Sequence, residues 1–375
     1  MKILFVIPTL LKAGAERMLV NICNELAKNK NIEVAIFLIW NANEYVNELD
    51  KRVHVESGGI EFKFSMYRKD IIINKKYVDF VTSYSPDIIH SHLYYGDLLA
   101  HSYFHKSSIY ISHLQNSIIE EYNGLVLKDI FKRKMWANLY EYKWVMKRYK
   151  KFNTNFIACS DGAKEFHNKY IKLGKIVTLP NASSMPKIEY KYKVMNKAIT
   201  IIWVGRLTDV KRPQMAIKIA EKLKNNGLNF KLKIAGFGSE KDNCLSLIKD
   251  LGLNDYIQMV GLIDDMESFY KEADIMIHTA IYEGLPLVFI EANSYGIPII
   301  TTDCMPNNEF IDDKKNGFII KSENPLDYFQ IINKMLQDPG YYQKISNNSI
   351  EYSKKFSIEN FTNKMLNYYS ELTNS

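Results

Sequence analysis

The most informative segment of the sequence is EGLPLVFIEANSYGIPII, which runs from Glu283 to Ile300. A strand is predicted to end near His278, and a loop carrying Glu283 then leads into a helix that begins at Pro286. Proline in the first turn and Gly296 just past the last turn are the expected start and stop signals. The beginning of such a helix offers unpaired N–H groups and partial positive charge. The stretch therefore predicts a strand–loop–helix turn suited to a diphosphate.

The same alternation of short apolar runs and helical patterns extends along the whole chain. This alternation predicts an α/β fold with parallel sheets and crossover helices, and 375 residues are too many for one ordinary core. We expect lobes at residues 1–185 and 186–356, with residues 357–375 as a helix that packs back on the first lobe. The predicted strands are Lys2–Ile7, Glu33–Trp40, Asp87–Ser91, Ile109–Ser112, Asn155–Cys159, Ile176–Leu179, Ile199–Val204, Lys231–Ala235, Ile257–Val260, Asp274–His278, Pro298–Thr302 and Phe318–Ile320.

The composition is that of a globular protein without a membrane anchor. The hydrophobic share is 47% and the charged share 24%, and no uncharged apolar stretch approaches the roughly 18 residues of a membrane-spanning helix. The opening KILFVIPTLL is better explained as a buried strand than as a signal peptide. The four cysteines are far apart, which favours buried thiols in a reducing compartment. A cytoplasmic location is therefore expected.

The positive charge of the chain is concentrated in one segment. Residues 128–151 hold seven lysines and two arginines against Asp129 and Glu141, a net charge of +7 that equals the excess of the whole chain. Interleaved aromatic residues such as Trp136 and Trp144 suit an anionic surface on the inner face of the cell membrane. A solvated helix whose aromatic side packs on its own lobe explains the pattern equally well. Nucleic acid is not expected as a partner, because no nucleic-acid-binding motif accompanies the charge.

Further candidate ligand-binding residues follow predicted strands, where α/β proteins bind ligands. WVGRLTDVKRP places Arg206 and Lys211 in a loop, and two cations there could neutralise a leaving diphosphate. Glycines that open comparable turns are Gly14, Gly236 and Gly261, and histidines that end predicted strands are His90, His92 and His113. Since no third ligand at metal-binding spacing accompanies the histidines in the sequence, no metal site is expected.

Together these motifs resemble the family-4 glycosyltransferases, and the Glu283–Ile300 stretch resembles their E-x7-E motif. The resemblance implies the GT-B fold, in which two Rossmann-like lobes face a cleft, and metal-independent, retaining transfer of a sugar. It implies catalytic roles for Glu283, His113, Arg206 and Lys211. It implies that Glu291 binds the nucleotide ribose. The other implied donor contacts are Gly14, Gly236, Gly261, Gly284, Leu285, Leu287 and Val288. The family has glycine where this chain has Ala13, which would restrict the turn if that backbone needs a positive φ.

The expected donor is a UDP- or GDP-linked sugar, without a further cofactor. The expected acceptor is a glycan or a polyprenyl-linked oligosaccharide, in the synthesis of a surface polysaccharide such as capsule or O-antigen. Two alternatives remain at this point: a non-catalytic protein that binds nucleotide sugars, and an NAD-dependent oxidoreductase. The turn containing Gly236 and Gly238 lacks the third glycine of a dinucleotide fingerprint, which counts against the oxidoreductase. A glycosidase is disfavoured because one of the two glutamates lies on a helix suited to ribose.

Overall fold

The structure of the protein is a computed structural model. The structure describes residues 1–60, 74–115, 143–186, 198–284, 286–304 and 307–374. The chain divides into two compact units. The first comprises Met1–Ala182 together with Ile358–Ser375, and the second comprises Ser183–Ser357. The C-terminal helix is therefore part of the first unit, and the division falls just before the expected residue 185.

The first unit is built on a seven-stranded parallel sheet with the order β3-β2-β1-β4-β5-β6-β7. The central strands are buried on both faces because helices cover both sides, so their sequences are nearly continuous apolar runs. The strands are β1 Lys2–Ile7, β2 Glu33–Leu38, β3 His54–Ser57, β4 Ile88–His92, β5 Ile109–Leu114, β6 Asn155–Ala158 and β7 Ile176–Thr178.

The helices of the first unit include the C-terminal helix of the chain. They are α1 Gly14–Leu26, α2 Lys75–Tyr84, α3 Leu93–Ala100, α4 at residues 143–151, α5 Asp161–Tyr170 and, after the second unit, α13 Ile358–Thr373. Helix α13 packs against α1. Side-chain caps begin two of these helices: Asn74 accepts from the Tyr77 N–H and Ser160 accepts from the Ala163 N–H.

The second unit is built on a six-stranded parallel sheet with the order β10-β9-β8-β11-β12-β13. Its strands are β8 Ile199–Val204, β9 Phe230–Ala235, β10 Ile257–Gly261, β11 Ile275–His278, β12 Ile299–Thr302 and β13 Gly317–Ile320. Its described helices are α6 Pro213–Asn225, α7 Lys241–Asp250, α8 Met266–Glu272, α9 Leu287–Ser294, α10 Asn307–Phe310, α11 Pro325–Gln337 and α12 Pro339–Ser353, followed by a 3-10 turn at Lys354–Phe356. Both sheets change strand order at the central pair, β1/β4 and β8/β11, which is where open α/β sheets bind ligands.

All twelve predicted strands are confirmed, with ends that differ by at most two residues. The sequence missed β3, a short edge strand whose side chains are at least partly exposed and which therefore lacks an apolar run. The helix expected from Pro286 begins one residue later, with Pro286 as its N-cap. The four cysteines are buried free thiols, as expected. Among the described helices, none has the length and apolar character that crossing a bilayer requires.

Candidate active site

An ion pair that is largely shielded from solvent lies at the carboxyl edge of the second sheet. Glu283 follows β11, and its Oε1 accepts hydrogen bonds from Lys211 Nζ at 2.5 Å and from His278 Nε2 at 2.9 Å. The two charged side chains are only 12% and 17% exposed. Burial raises the pKa of the Glu283 carboxyl. The Lys211 charge and the His278 hydrogen bond outweigh this effect and lower the pKa to about 2. Glu283 is therefore ionised at neutral pH and can accept a hydrogen bond but cannot act as a general acid.

A chain of hydrogen bonds holds Glu283 from behind. The Asn307 amide donates to Thr301 Oγ1 at 2.7 Å, and Thr301 Oγ1 lies 3.1 Å from His278 Nδ1. Because Glu283 is ionised, His278 Nε2 is the donor in its hydrogen bond to the carboxylate. The chain therefore links Asn307 to Glu283 through Thr301 and His278. His278 was not predicted from the sequence as part of the site, although its place at the last position of β11 was a signal for it.

Lys211 lies beside Glu283 because hydrogen bonds join the loop after β8 to the loop after β11. The Thr279 hydroxyl lies 2.9 Å from the Lys211 carbonyl and 2.8 Å from the Arg212 carbonyl, and it accepts from the Trp203 indole at 3.0 Å. The Ile281 N–H also donates to the carbonyl of Val210, next to Lys211 in the chain. These bonds join the loop after β8 to the loop after β11, so residues 72 positions apart form one site.

Arg206 lies in the same loop but outside this ion pair. Its side chain is exposed, and within the described part of the chain it makes no hydrogen bond or ion pair. Its neighbour Arg212 is instead paired with Glu323 on the protein surface. The structure thus brings Lys211 to Glu283 and leaves the Arg206 guanidinium facing solvent.

Helix α9 begins immediately after the Glu283 loop. Pro286 is its N-cap and has no side-chain hydrogen bond to the helix, so the first-turn N–H groups of Leu287 and Val288 are without partners inside the helix. Leu287 packs its side chain into the core, which leaves only its backbone for a ligand. Gly284 is half-buried, and Leu285 lies outside the described residues.

Glu291 occupies the interior of α9, away from the Lys211 pair. Its Oε2 accepts from the Tyr270 hydroxyl at 2.8 Å, and its Oε1 accepts from the Ser183 hydroxyl at 3.4 Å. The side chain is half-buried. A carboxylate held in this way retains acceptor capacity, since each oxygen can take two hydrogen bonds.

The glycines of the second unit serve mainly to bring backbone loops together. A Cβ at Gly236 would lie 1.8 Å from the Gly205 carbonyl oxygen, and one at Gly238 would lie 2.2 Å from that of Leu207. Both glycines have positive φ. Gly261 also has positive φ, at +71°, but faces open space. The loop after β9 therefore needs its two glycines for close packing on the loop after β8, whatever it binds.

In the first unit, the turn between β1 and α1 leaves its backbone open. A Cβ at Gly14 would meet nothing within 4 Å. Ala13 has φ −140° and ψ 170°, an extended conformation that any residue adopts. The alanine therefore does not restrict this turn.

The predicted histidines of the first unit lie together and are buried. His92 and His113 are paired in register on β4 and β5, and His90 lies two positions before His92. All three are at most 1% exposed. Burial lowers the pKa of His113 to about 3 and those of His90 and His92 well below the usual value, so the three imidazoles are neutral.

The basic segment falls largely outside the described residues, which resume at residue 143. In α4, Trp144 and Tyr149 are buried, and the Arg148 guanidinium lies 5.0 Å from the centre of the Trp144 ring. The Tyr149 hydroxyl donates to Asp97 at 2.9 Å. These two aromatic side chains therefore pack on their own unit, while four lysines of the helix are exposed: Lys143, Lys147, Lys150 and Lys151.

Comparison with known proteins gives two family matches and full-length relatives. The model for glycosyl transferases group 1 matches residues 185–352, and the model for glycosyltransferase family 4 matches residues 13–183. An uncharacterised glycosyltransferase of Haemophilus influenzae is 24% identical over 92% of this chain and 93% of its own length. An α-1,4-N-acetyl-D-galactosaminyltransferase of Campylobacter jejuni, named for a diphospho-undecaprenol-linked acceptor, is 24% identical over the whole of both chains. The O-antigen biosynthesis glycosyltransferase WbnH of Escherichia coli is 30% identical over 68% of this chain and 66% of its own.

Solved structures agree on the architecture. Anabaena HepE in complex with UDP and glucose superposes with a TM-score of 0.78 at 16% identity, covering 99% of this chain and all of that one. Staphylococcus aureus TarM in complex with UDP superposes with a TM-score of 0.76 at 16% identity, covering 98% and 100%. These likenesses show a shared GT-B fold, and the two family matches together span nearly the whole chain. The chain therefore belongs to the family-4 glycosyltransferases, the group 1 glycosyl transferases.

Proposed function

We propose that the protein transfers a sugar, with retention of configuration, from a nucleoside-diphosphate sugar to a glycan or a polyprenyl-linked oligosaccharide. The observation that carries this proposal is the buried Glu283–Lys211 pair next to the beginning of α9. A cation, an ionised carboxylate and unpaired N–H groups at one sheet edge match the diphosphate and the hydroxyl groups of such a donor. Family membership removes the NAD-dependent oxidoreductase from consideration.

The second unit holds the donor in this proposal. The diphosphate accepts from the first-turn N–H groups of α9 and from Lys211, and Arg206 turns toward it from solvent. Glu283 accepts a hydrogen bond from a hydroxyl of the transferred sugar, and Glu291 accepts from the ribose hydroxyls. The backbone at Gly236, Gly261 and the turn around Gly284 completes the donor contacts.

Catalysis then depends on stabilising the leaving diphosphate. As the glycosidic bond breaks, negative charge develops on the phosphate oxygen, and a cation already fixed in a buried site stabilises it without reorganisation. In the described structure Lys211 is neutralised by Glu283. We infer that a diphosphate draws the ammonium group from the carboxylate, and that the freed carboxylate oxygen accepts from the sugar. The positive charges of Lys211 and Arg206 take the place that a divalent ion has in other transferases.

The first unit supplies the acceptor side in this proposal. Gly14 leaves an open backbone turn there, and His113 contributes a ring nitrogen to the donor sugar. The relatives named for an undecaprenol-linked acceptor and for O-antigen synthesis support a surface polysaccharide such as capsule or O-antigen as the setting. Binding of UDP by HepE and TarM favours uracil over guanine as the base of the donor.

The test measures donor binding and turnover in matched variants. A thermal-shift panel of UDP- and GDP-sugars should identify a donor, because a ligand that binds the native state raises the melting temperature by mass action. Donor turnover should then fall by about a hundredfold or more in Glu283→Ala, a loss typical of removing one group from a preorganised site. Glu267→Ala, which removes the carboxylate of the exposed pair with Lys271, is the control and should turn over normally.

Two results would count against the proposal. If no nucleotide sugar shifts the melting temperature, the donor class is wrong. If a donor binds but neither wild type nor Glu283→Ala turns it over with any glycan acceptor, the protein is a non-catalytic binder of nucleotide sugars.

A further inference from the structure

Three histidines converge on one face of the first sheet. His90 and His92 alternate along β4 and so point to the same side, and His113 lies beside His92 on the adjacent strand β5. Their ring centroids are 4.6 Å, 4.8 Å and 5.3 Å apart. One potential ligand atom from each of the three residues lies within 4.8 Å of the other two. His113 on β5 is thus the third ligand that the spacing of His90 and His92 in the sequence did not reveal.

The buried rings have nitrogen atoms without partners. Among the described residues, His90 Nε2, His92 Nε2 and both nitrogens of His113 make no hydrogen bond. A buried polar atom left unpaired costs free energy comparable to a lost hydrogen bond. Burial alone does not explain this state, because the equally buried His101 has both nitrogens paired, with Asp97 and Thr154. Four unpaired nitrogens in one cluster therefore point to a missing ligand.

The remaining nitrogens of the cluster are already held in the way that metal-binding histidines are. His90 Nδ1 lies 2.5 Å from the Tyr369 hydroxyl on α13, and His92 Nδ1 lies 2.9 Å from the Gln115 amide. A histidine that binds metal through Nε2 donates its Nδ1–H to an oxygen. Tyr369 offers such an oxygen directly. Turning the Gln115 amide by half a rotation would place Oε1, now a buried unpaired atom, on His92 Nδ1.

We propose that His90, His92 and His113 form a binding site for a divalent transition-metal ion, with Zn²⁺ as the best match. Neutral imidazoles are preferred ligands of zinc, and three of them leave a fourth position for water or an anion. Zinc–nitrogen bonds of about 2.0–2.1 Å in tetrahedral geometry put ligand nitrogens about 3.4 Å apart. The described nitrogens, which lie up to 4.8 Å apart, must therefore approach by up to about 1.4 Å. The His90 and His113 rings, now inclined by only 9°, must turn relative to each other.

This site goes beyond the proposed transfer reaction, which uses no metal ion. Bound zinc would link β4 to β5 and, through His90 and Tyr369, to the C-terminal helix of the first unit. The expected consequence is a more stable first unit.

The experiment uses untagged full-length protein stripped of metal with EDTA and then dialysed. Zn²⁺ is titrated in competition with a chromophoric chelator, and Co²⁺ binding is followed by its visible absorption, which is intense for four-coordinate sites. We expect about one equivalent bound, with affinity reduced about tenfold or more in His92→Gln and in His113→Gln. His101→Gln, which alters a buried histidine of the same unit outside the cluster, should bind as the wild type does.

A second measurement covers the case in which a cluster variant does not fold. X-ray absorption of the zinc-loaded wild type should show three imidazole ligands, and Zn²⁺ should raise the melting temperature of the wild type. If the folded wild type binds no stoichiometric metal, or binds it with fewer than three imidazoles, the site does not exist. Unchanged binding in folded His92→Gln and His113→Gln leads to the same conclusion. Donor binding, tested by thermal shift with UDP- and GDP-sugars on the same samples, reports separately on the transfer reaction.

Discussion

Replacing Lys211 with methionine tests the buried ion pair at the centre of the candidate site. The substitution keeps the aliphatic bulk but removes the charge, so Glu283 keeps only its hydrogen bond from His278. The Glu283 pKa falls from 4.5 to about 2 in the folded protein, a shift of roughly 2.5 units. At 1.36 kcal/mol per unit this corresponds to about 3 kcal/mol, close to the loss of about 3–5 kcal/mol typical of a broken buried pair. We therefore expect Lys211→Met to destabilise the second unit by about 3 kcal/mol at neutral pH.

The pH dependence gives this prediction its signature. A carboxylate with a lowered pKa stabilises the wild type above its unfolded pKa of about 4.5, and this contribution is lost as the pH falls toward 2. In Lys211→Met the burial that raises the Glu283 pKa is no longer offset by the lysine. The variant should then take up a proton as the pH falls toward 5, which relieves part of its penalty. The stability difference between wild type and variant should therefore shrink between pH 7.5 and pH 5.

The assay is urea unfolding followed by fluorescence and circular dichroism at both pH values. Lys271→Met, which breaks the exposed pair with Glu267, is the matched control and should cost less than about 0.5 kcal/mol. The double variant Lys211→Met/Glu283→Gln should be more stable than the sum of the two single effects predicts, because it leaves no unpaired charge. A loss below about 0.5 kcal/mol, or one that does not change with pH, would refute the buried pair.

Three further predictions concern the relay, the glycine turn and the basic helix. Thr301→Val removes the hydroxyl that links Asn307 to His278 but keeps the shape of the side chain. The value of kcat/KM for the donor should fall about tenfold, the equivalent of one hydrogen bond. Normal kinetics would show that the hydrogen-bond chain does not position Glu283. Gly236→Ala should destabilise the second unit by more than about 3 kcal/mol, because the new Cβ clashes with backbone and the positive φ strains it. Gly227→Ala has a positive φ but open space around it, so it should cost only about 1 kcal/mol. Equal losses of stability in urea unfolding would contradict the clash. Lys147→Glu/Lys150→Glu should reduce flotation with phosphatidylglycerol vesicles but not with phosphatidylcholine vesicles; unchanged flotation would leave α4 as a solvated helix.

The strands could be predicted because parallel strands covered on both faces are continuous apolar runs. IIWV, at Ile201–Val204, and DIMIH, at Asp274–His278, needed no knowledge of neighbours. β3 escaped because HVES is short, partly polar and at a sheet edge, where only pairing with β2 makes it a strand. The motif glutamates were predicted in the same local way, since each belongs to one strand–loop–helix turn.

The arrangement of the site depended on contacts that no local pattern contains. The pairing of Lys211 with Glu283 follows from Thr279, which holds two loops together across 68 residues of sequence. Gly236 looked like part of a weak dinucleotide signature, and the structure shows that it also has a packing role. The histidine cluster likewise appears only when the sheet places β5 beside β4.

A crystal structure of the protein with the UDP- or GDP-sugar selected by thermal shift would test directly whether the donor diphosphate binds to Lys211 and α9. We predict the diphosphate at the beginning of α9, with a phosphate oxygen within hydrogen-bond distance of Lys211 Nζ and a sugar hydroxyl on Glu283. A diphosphate bound elsewhere, with Lys211 still paired to Glu283 and the first turn of α9 open to water, would contradict the claim.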